Sequence, residues 1–126
     1  HMANTPLAVV EFDGQGRFAR WSPSAQRLFG WSGEEVIGKS WNDIRFVCNE
    51  DVEQVTKHLE DLMRGEAGMH RNRNYTKSGA VVDCEWYNSV ATGPDGQAES
   101  ILSLVLDVTR RQRLEDQLNR AQRMEA

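Results

Sequence analysis

Two glycine-bearing turns restrict this chain more than any other feature. Lys77-Ser78-Gly79 and Gly93-Pro94-Asp95-Gly96 divide its second half into three extended runs, "GMHRNRNYT", "AVVDCEWYNSVA" and "ESILSLVLDV". Extended runs joined by such short turns pair antiparallel, because a parallel return needs a crossover of roughly a dozen residues or more. The same signal opens the chain. "LAVVEFDGQGRFARWS" holds two extended runs around Asp13-Gly14-Gln15-Gly16, and Asp-Gly with a second glycine nearby marks a hairpin.

Helical signals fill the space between. Ser22 is placed to cap a helix, with Pro23 at its first position and Gly30 at its stop. Ser32 and Glu35 have capping-box spacing, and Gly38 ends that second short helix. "WNDIRFVC" reads as irregular with one helical turn. Asn49 is the expected N-cap of a longer helix, and Glu50, Asp51 and Glu53 set negative charge at its positive end. Val52, Val55, Leu59 and Leu62 make one apolar stripe, closed by Gly65. The order predicts a five-stranded antiparallel sheet with short helices over one face, an α+β arrangement.

Composition bounds the function. The chain has 126 residues, of which 39% are apolar, enough for one folded core. His1 and Met2 read as a tag remnant, residues 3–108 as the domain and 109–126 as a C-terminal helix. The net charge of -4 argues against wrapping nucleic acid, and Arg71, Arg73 and the tail arginines read as a solvated face. "ILSLVL", the longest apolar run, is far short of the roughly 20 residues that span a bilayer. Cys48 and Cys84 make no disulfide framework and read as reduced thiols of a cytoplasmic domain. No zinc-ligand spacing, phosphate loop or facing carboxylate pair occurs, so no catalysis and no metal are expected of this segment.

Strand parity places Val82, Cys84, Trp86, Asn88 and Val90 on one face and Val81, Asp83, Glu85 and Tyr87 on the other. The first set is the inner face. Asn88 is its odd member, because a buried amide without partners costs about 1–3 kcal/mol.

"FARWSPSAQRLFGWSGEEVIGKSW", "YTKSGAVVDCEWYNS" and "LDVTRRQRLEDQL", in that order, resemble a PAS domain running from about Leu7 to Val108. "QLNRAQRMEA" resembles the connector into the dimerisation and phosphoacceptor domain of bacterial sensor histidine kinases. The resemblance implies a small ligand or cofactor held between the inner sheet face and the helices. Its candidate contacts are Trp41, Ile44, Val55, Leu59, Asn72, Asn74, Cys84, Trp86, Asn88, Ser103 and Val105.

Three versions of that site differ in their side chains. "NYTKSG" resembles the strand-turn segment of light-oxygen-voltage flavin photosensors, where the leading asparagine bonds the flavin. Ile44 stands where that family has its reactive cysteine, Cys48 lies one helical turn on, and Cys84 and Val105 replace its other flavin-binding amides. A cysteinyl-flavin photocycle is therefore not expected. Haem is disfavoured too, because Val55 matches the ligand position of oxygen-sensing relatives better than His58, which reads as partly exposed on a solvated helix. A non-covalent flavin remains open, with Trp41, Asn42, Asn72, Asn74, Trp86 and Asn88 as contacts. The competing reading is that Trp41 and Trp86 are simply core.

The same alignment turns Ile101, Ser103 and Val105 inward and Leu102, Leu104 and Leu106 outward, an apolar stripe that needs cover. Asp107-Val108-Thr109 resembles the junction that PAS domains place before a signalling helix, with Asp107 expected to pin it through Arg110 or Arg111. Leu114, Leu118 and Ala121 recur at coiled-coil spacing, and Asp116 and Arg120 are spaced as an ion pair. These residues imply a homodimer through the outer sheet face and the C-terminal helix. The parent chain would resemble an ATP-dependent protein histidine kinase, its kinase domains lying downstream.

Overall fold

The computed structural model describes residues 7–125 of the chain. The reading of His1 and Met2 as a tag remnant lies outside them. The elements are β1 (Leu7–Asp13), β2 (Phe18–Trp21), α1 (Pro23–Phe29), α2 (Gly33–Val36), a 3-10 turn (Asn49–Asp51), α3 (Val52–Met63), β3 (Gly68–Tyr75), β4 (Val81–Thr92), β5 (Ala98–Asp107) and α4 (Thr109–Glu125). The strands form one antiparallel sheet in the order β2-β1-β5-β4-β3. The last strand in sequence is thus the central one. It joins the N-terminal hairpin to the β3–β4 hairpin, so anything that moves β5 is felt by both halves.

Local chemistry accounts for most boundaries. Ser22 Oγ accepts from the Ala25 amide at 3.1 Å and from the Val9 amide at 3.0 Å, so one hydroxyl caps α1 and ties it to β1. Gly30 then takes φ 82°, a left-handed stop that a side chain would strain. The Ser32–Glu35 capping box forms as spaced. Asn49 does not cap α3, which carries no side-chain cap at all. Asp51 stands at the cap position, yet its carboxylate accepts from Arg73 instead, through the backbone amide at 2.7 Å and the guanidinium at 2.8 Å. Two charge-assisted bonds to a neighbouring strand outweigh one local cap. Val52 also leaves the expected stripe and is exposed, while Val55, Leu59 and Leu62 face the core.

The core lies between the helices and the inner sheet face. Phe46, from the irregular segment, is its centre, with ring centroids 5.7 Å from Phe18, 4.9 Å from Phe29 and 5.9 Å from Trp86. Its neighbours bond the edge of β3: the Tyr75 amide donates to the Phe46 carbonyl at 2.8 Å, and the Cys48 amide donates to that of Arg73 at 3.0 Å. These bonds cover the outer edge of the sheet. Inward positions Ala8, Val10, Phe12, Ile101, Ser103, Val105, Cys84, Trp86 and Asn88 are all buried. No helix among the described residues is long and apolar enough to cross a membrane.

Candidate functional site

A cavity of about 50 Å³ lies between α3 and the inner face of β3 and β4. Phe12, Phe46, Val47 and Leu62 wall it together with Trp41, Val55, Leu59, Asn72, Asn74, Trp86 and Asn88 from the expected set. Ile44, Cys84, Ser103 and Val105 stand apart from the wall. Ile44 packs against the core from outside, and the other three are fully buried behind the lining. His58 and His70 complete the lining. His58 is therefore half-buried and turned into the cavity rather than set on a solvated helix. His70 was not singled out, although the parity of β3, which turns Asn72 and Asn74 inward, turns His70 the same way.

Two amide networks hold the wall. Asn74, fully buried, donates to the Phe46 carbonyl at 3.1 Å and accepts from Asn72 Nδ2 at 3.1 Å and Trp86 Nε1 at 3.2 Å. Asn88 donates to the Gly68 carbonyl at 3.1 Å, accepts from Ser103 Oγ at 2.6 Å and meets His58 Nε2 at 3.1 Å. The amides expected to meet a ligand are thus satisfied within the fold, which is how a buried polar group avoids its desolvation cost. Among the described residues, His70 Nε2 is the buried polar atom of the wall left without a partner.

Flavin and haem do not fit these residues. Pockets for such ligands run to roughly 300–1,000 Å³, whereas about 50 Å³ holds a few water molecules. Ile44, Cys84 and Val105 offer a flavin neither thiol at the reactive position nor amides. His58 is the one histidine of α3, and its Nε2 is already bonded to Asn88. Burial pushes the Cys84 thiol well above its usual range and raises Cys48 as well. Neither thiol is expected to react with a disulfide reagent in the folded chain, and both react once urea unfolds it. Reaction of Cys84 at native conditions, faster than global unfolding, would contradict its placement.

On the opposite face the sheet holds the start of α4. Glu85 points outward yet is only 6% exposed. Its carboxylate accepts from Arg111 at 2.5 Å and from the Tyr87 hydroxyl at 2.8 Å, and these bonds hold it below the usual carboxylate range. Arg71 donates to Gln112 at 2.5 Å. Asp107 pins the junction through Thr109, whose amide and hydroxyl donate to it at 3.0 and 2.6 Å, rather than through Arg110 or Arg111. Thr109 Oγ1 in turn accepts from the Asp83 amide at 2.9 Å. Further along, Asp116 accepts from Gln112, and Arg111 pairs with Glu115 at 3.7 Å, in place of the expected Asp116–Arg120 pair. Leu114, Leu118 and Ala121 are exposed, as are Leu102 and Leu104, while Leu106 is partly covered.

A profile of the family described as PAS fold matches residues 2–113. No curated protein matches the chain in sequence. Among solved structures, a sensory box histidine kinase/response regulator from Burkholderia thailandensis is 20% identical, with TM-score 0.77 over 98% of this chain and 92% of that one. An RNA-binding light-oxygen-voltage receptor is also 20% identical, with TM-score 0.77 over 94% of this chain, which spans only 34% of the receptor. The PAS domain of a protein from Colwellia psychrerythraea is 23% identical, with TM-score 0.71 over 84% of this chain and 89% of that one. At such identities the likeness is one of fold.

Proposed function

Because the chain belongs to the PAS fold family, we propose that it is the sensory and dimerisation module of a two-component histidine kinase, relaying the state of its cavity to α4. In this reading the segment has no chemistry of its own, and the ATP-dependent kinase lies downstream in the parent protein. The observation that carries the relay is the double role of β4. Trp86 and Asn88 line the cavity from one face of the strand, while Glu85, next to Trp86 in the chain, grips Arg111 of α4 from the other. Alternate side chains of one strand thus touch input and output, and a tilt of the strand moves both. The exposed leucines of β5 and α4 supply the surface through which two copies pair.

Filling the cavity tests the relay without knowledge of the signal. Val55→Phe adds volume to the wall and is expected to shift the amide resonances of residues 109–113. Glu85→Gln weakens the grip on Arg111 and is expected to remove most of that shift. A Val55→Phe chain whose α4 resonances stay in place would overturn the relay. For the parent protein, the expected activity is ATP-dependent phosphorylation of a downstream histidine.

The small cavity favours a second reading, a ligand-free interaction domain. Native mass spectrometry and the Val55→Phe shift together separate the two: a bound small molecule supports the sensor, and a bare polypeptide mass with α4 resonances unmoved supports the interaction domain.

A further inference from the structure

Two imidazoles share the cavity wall. His58 of α3 and His70 of β3 stack face to face, with centroids 4.4 Å apart and planes inclined by 16°. Asn88 fixes the state of the first ring. Its Nδ2 faces the Gly68 carbonyl at 3.1 Å, and a carbonyl can only accept, so the amide cannot be reversed. That same Nδ2 lies 3.1 Å from His58 Nε2, closer than the Trp86 carbonyl at 3.4 Å, and an amide nitrogen in this bond can only donate. His58 Nε2 therefore carries no proton, and the ring is neutral with its hydrogen on Nδ1. For His70 the constraint is burial. Its Nε2 is buried with no partner among the described protein groups, and an imidazolium would set a charged N–H there without a protein acceptor.

The surroundings offer little to stabilise a proton. Asp61 faces His58 from α3 itself, and Asp51 faces His70 from the 3-10 turn. Asp51 is committed to Arg73 of β3, which holds it below its ordinary range. From β4 the pair meets Asn88 and the wall residue Trp86, with the neutral thiol of Cys84 further along, and β5 adds Ser103 behind Asn88. Glu85 points to the other face, where Arg111 and Arg71 take it. Nor can the pair chelate a metal, since lone pairs in near-parallel planes do not converge on one ion. Among the described residues, no group of three or more His, Cys, Asp or Glu forms a metal site.

The geometry points to a proton gate: the closed cavity requires a neutral His58–His70 pair, and protonating either ring releases α3 from Asn88 and β3. The proton is then the signal this cavity reads. Burial lowers both pKa values below their ordinary 6.5, and for His70 the neighbouring His58 adds to it. The closed state is fully stabilised above that value and loses stabilisation as pH falls through it towards the folded pKa. Transmission of the opening to α4 rests on the relay proposed above, but the gate itself does not.

Hydrogen exchange of the whole chain tests both parts. After correction for intrinsic rates, α3 is expected to open more often at about pH 5.5 than at about pH 7.5, by roughly tenfold for each ring that must be neutral to close and so by up to about a hundredfold for the pair. His58→Gln keeps an oxygen for Asn88 without titrating, and His70→Phe keeps a flat ring. Together they are expected to abolish the pH response and keep a cooperative urea transition. Nitrogen NMR of the native chain reads the tautomer directly, with His58 unprotonated at Nε2 near pH 7.5, and decides the matter alone if the double variant does not fold. PH-independent exchange, an undiminished response in the folded double variant, or a protonated His58 Nε2 would each overturn the gate. Opening of α3 with α4 unmoved upholds the gate and counts against the relay.

Discussion

Asn74→Ala is expected to destabilise the folded chain by about 3–5 kcal/mol. The side chain is fully buried and links three partners on three segments: Phe46 of the irregular stretch, Asn72 on its own strand and Trp86 on β4. The Phe46 carbonyl keeps a second donor, the Tyr75 amide, so it survives the loss. Trp86 Nε1 is left stranded, and Asn72 Nδ2 keeps only the Arg73 carbonyl at 3.3 Å. A stranded donor costs about 1–3 kcal/mol, and the missing atoms leave a void beside an existing cavity. A domain of this size has a total stability of about 5–15 kcal/mol, so the urea midpoint falls by a large fraction. Tryptophan fluorescence during urea unfolding reads it. Asn74→Leu strands the same donor without the void, and the difference between the variants isolates the hydrogen-bond cost. Asn72→Ala removes two bonds, to Asn74 Oδ1 and to the Arg73 carbonyl, but leaves Trp86 its acceptor and is expected to cost less. A loss below about 1 kcal/mol for Asn74→Ala would show that the network does not hold the wall.

The sheet was legible because its signals are local. Glycine turns set which neighbouring strands pair, and the two-residue alternation from Val82 to Val90 put Cys84, Trp86 and Asn88 inside without reference to anything distant, whereas the pairing of β1 with β5 follows no turn. Asn88 could be marked as an inward amide needing partners, but not matched to them. Gly68 and Ser103 stand opposite it only once the β3–β4 and β4–β5 registers are known. Asn49 was the wrong cap for the same reason: helix N-caps rank Asn and Asp alike, and the choice is settled by Arg73 on a strand not yet placed. Strand parity assigns Glu85 to the outer face but says nothing of its cover. Its burial depends on the direction in which α4 leaves β5, which no residue near Glu85 encodes. The stacked histidines were not legible as a pair because His58 reads alone as a disfavoured haem ligand and His70 carries no signal of its own, whereas their chemistry lies in the pairing.

Leu104→Asp is expected to leave the chain folded and to abolish the self-association proposed for it. Leu104 belongs to a row that crosses the outer sheet face, with Met69 paired to Tyr87, Tyr87 to Leu104 and Leu104 to Val9. Met69 is 51%, Tyr87 43%, Leu104 39% and Leu102 38% exposed, so the row offers apolar area that the monomer does not use. Folding tolerates the change because Leu104 contributes nothing to the inner face, where Ser103 and Val105 are fully buried. Association does not tolerate it. In a twofold dimer one substitution appears on both sides of the contact, and burying a leucine stabilises by about 1.5–3 kcal/mol. Two copies amount to roughly 3–6 kcal/mol, or about two to four orders of magnitude in the dimer dissociation constant. Repulsion between paired aspartates adds to that. Sedimentation velocity over a concentration series reads the effect, with the urea midpoint as the folding control. Leu118→Asp on α4 is the internal comparison. Two heptads associate weakly alone, so the sheet change should outweigh the helix change. A native chain that stays monomeric at every concentration, or a Leu104→Asp chain that still dimerises, would place the partner elsewhere than on this face.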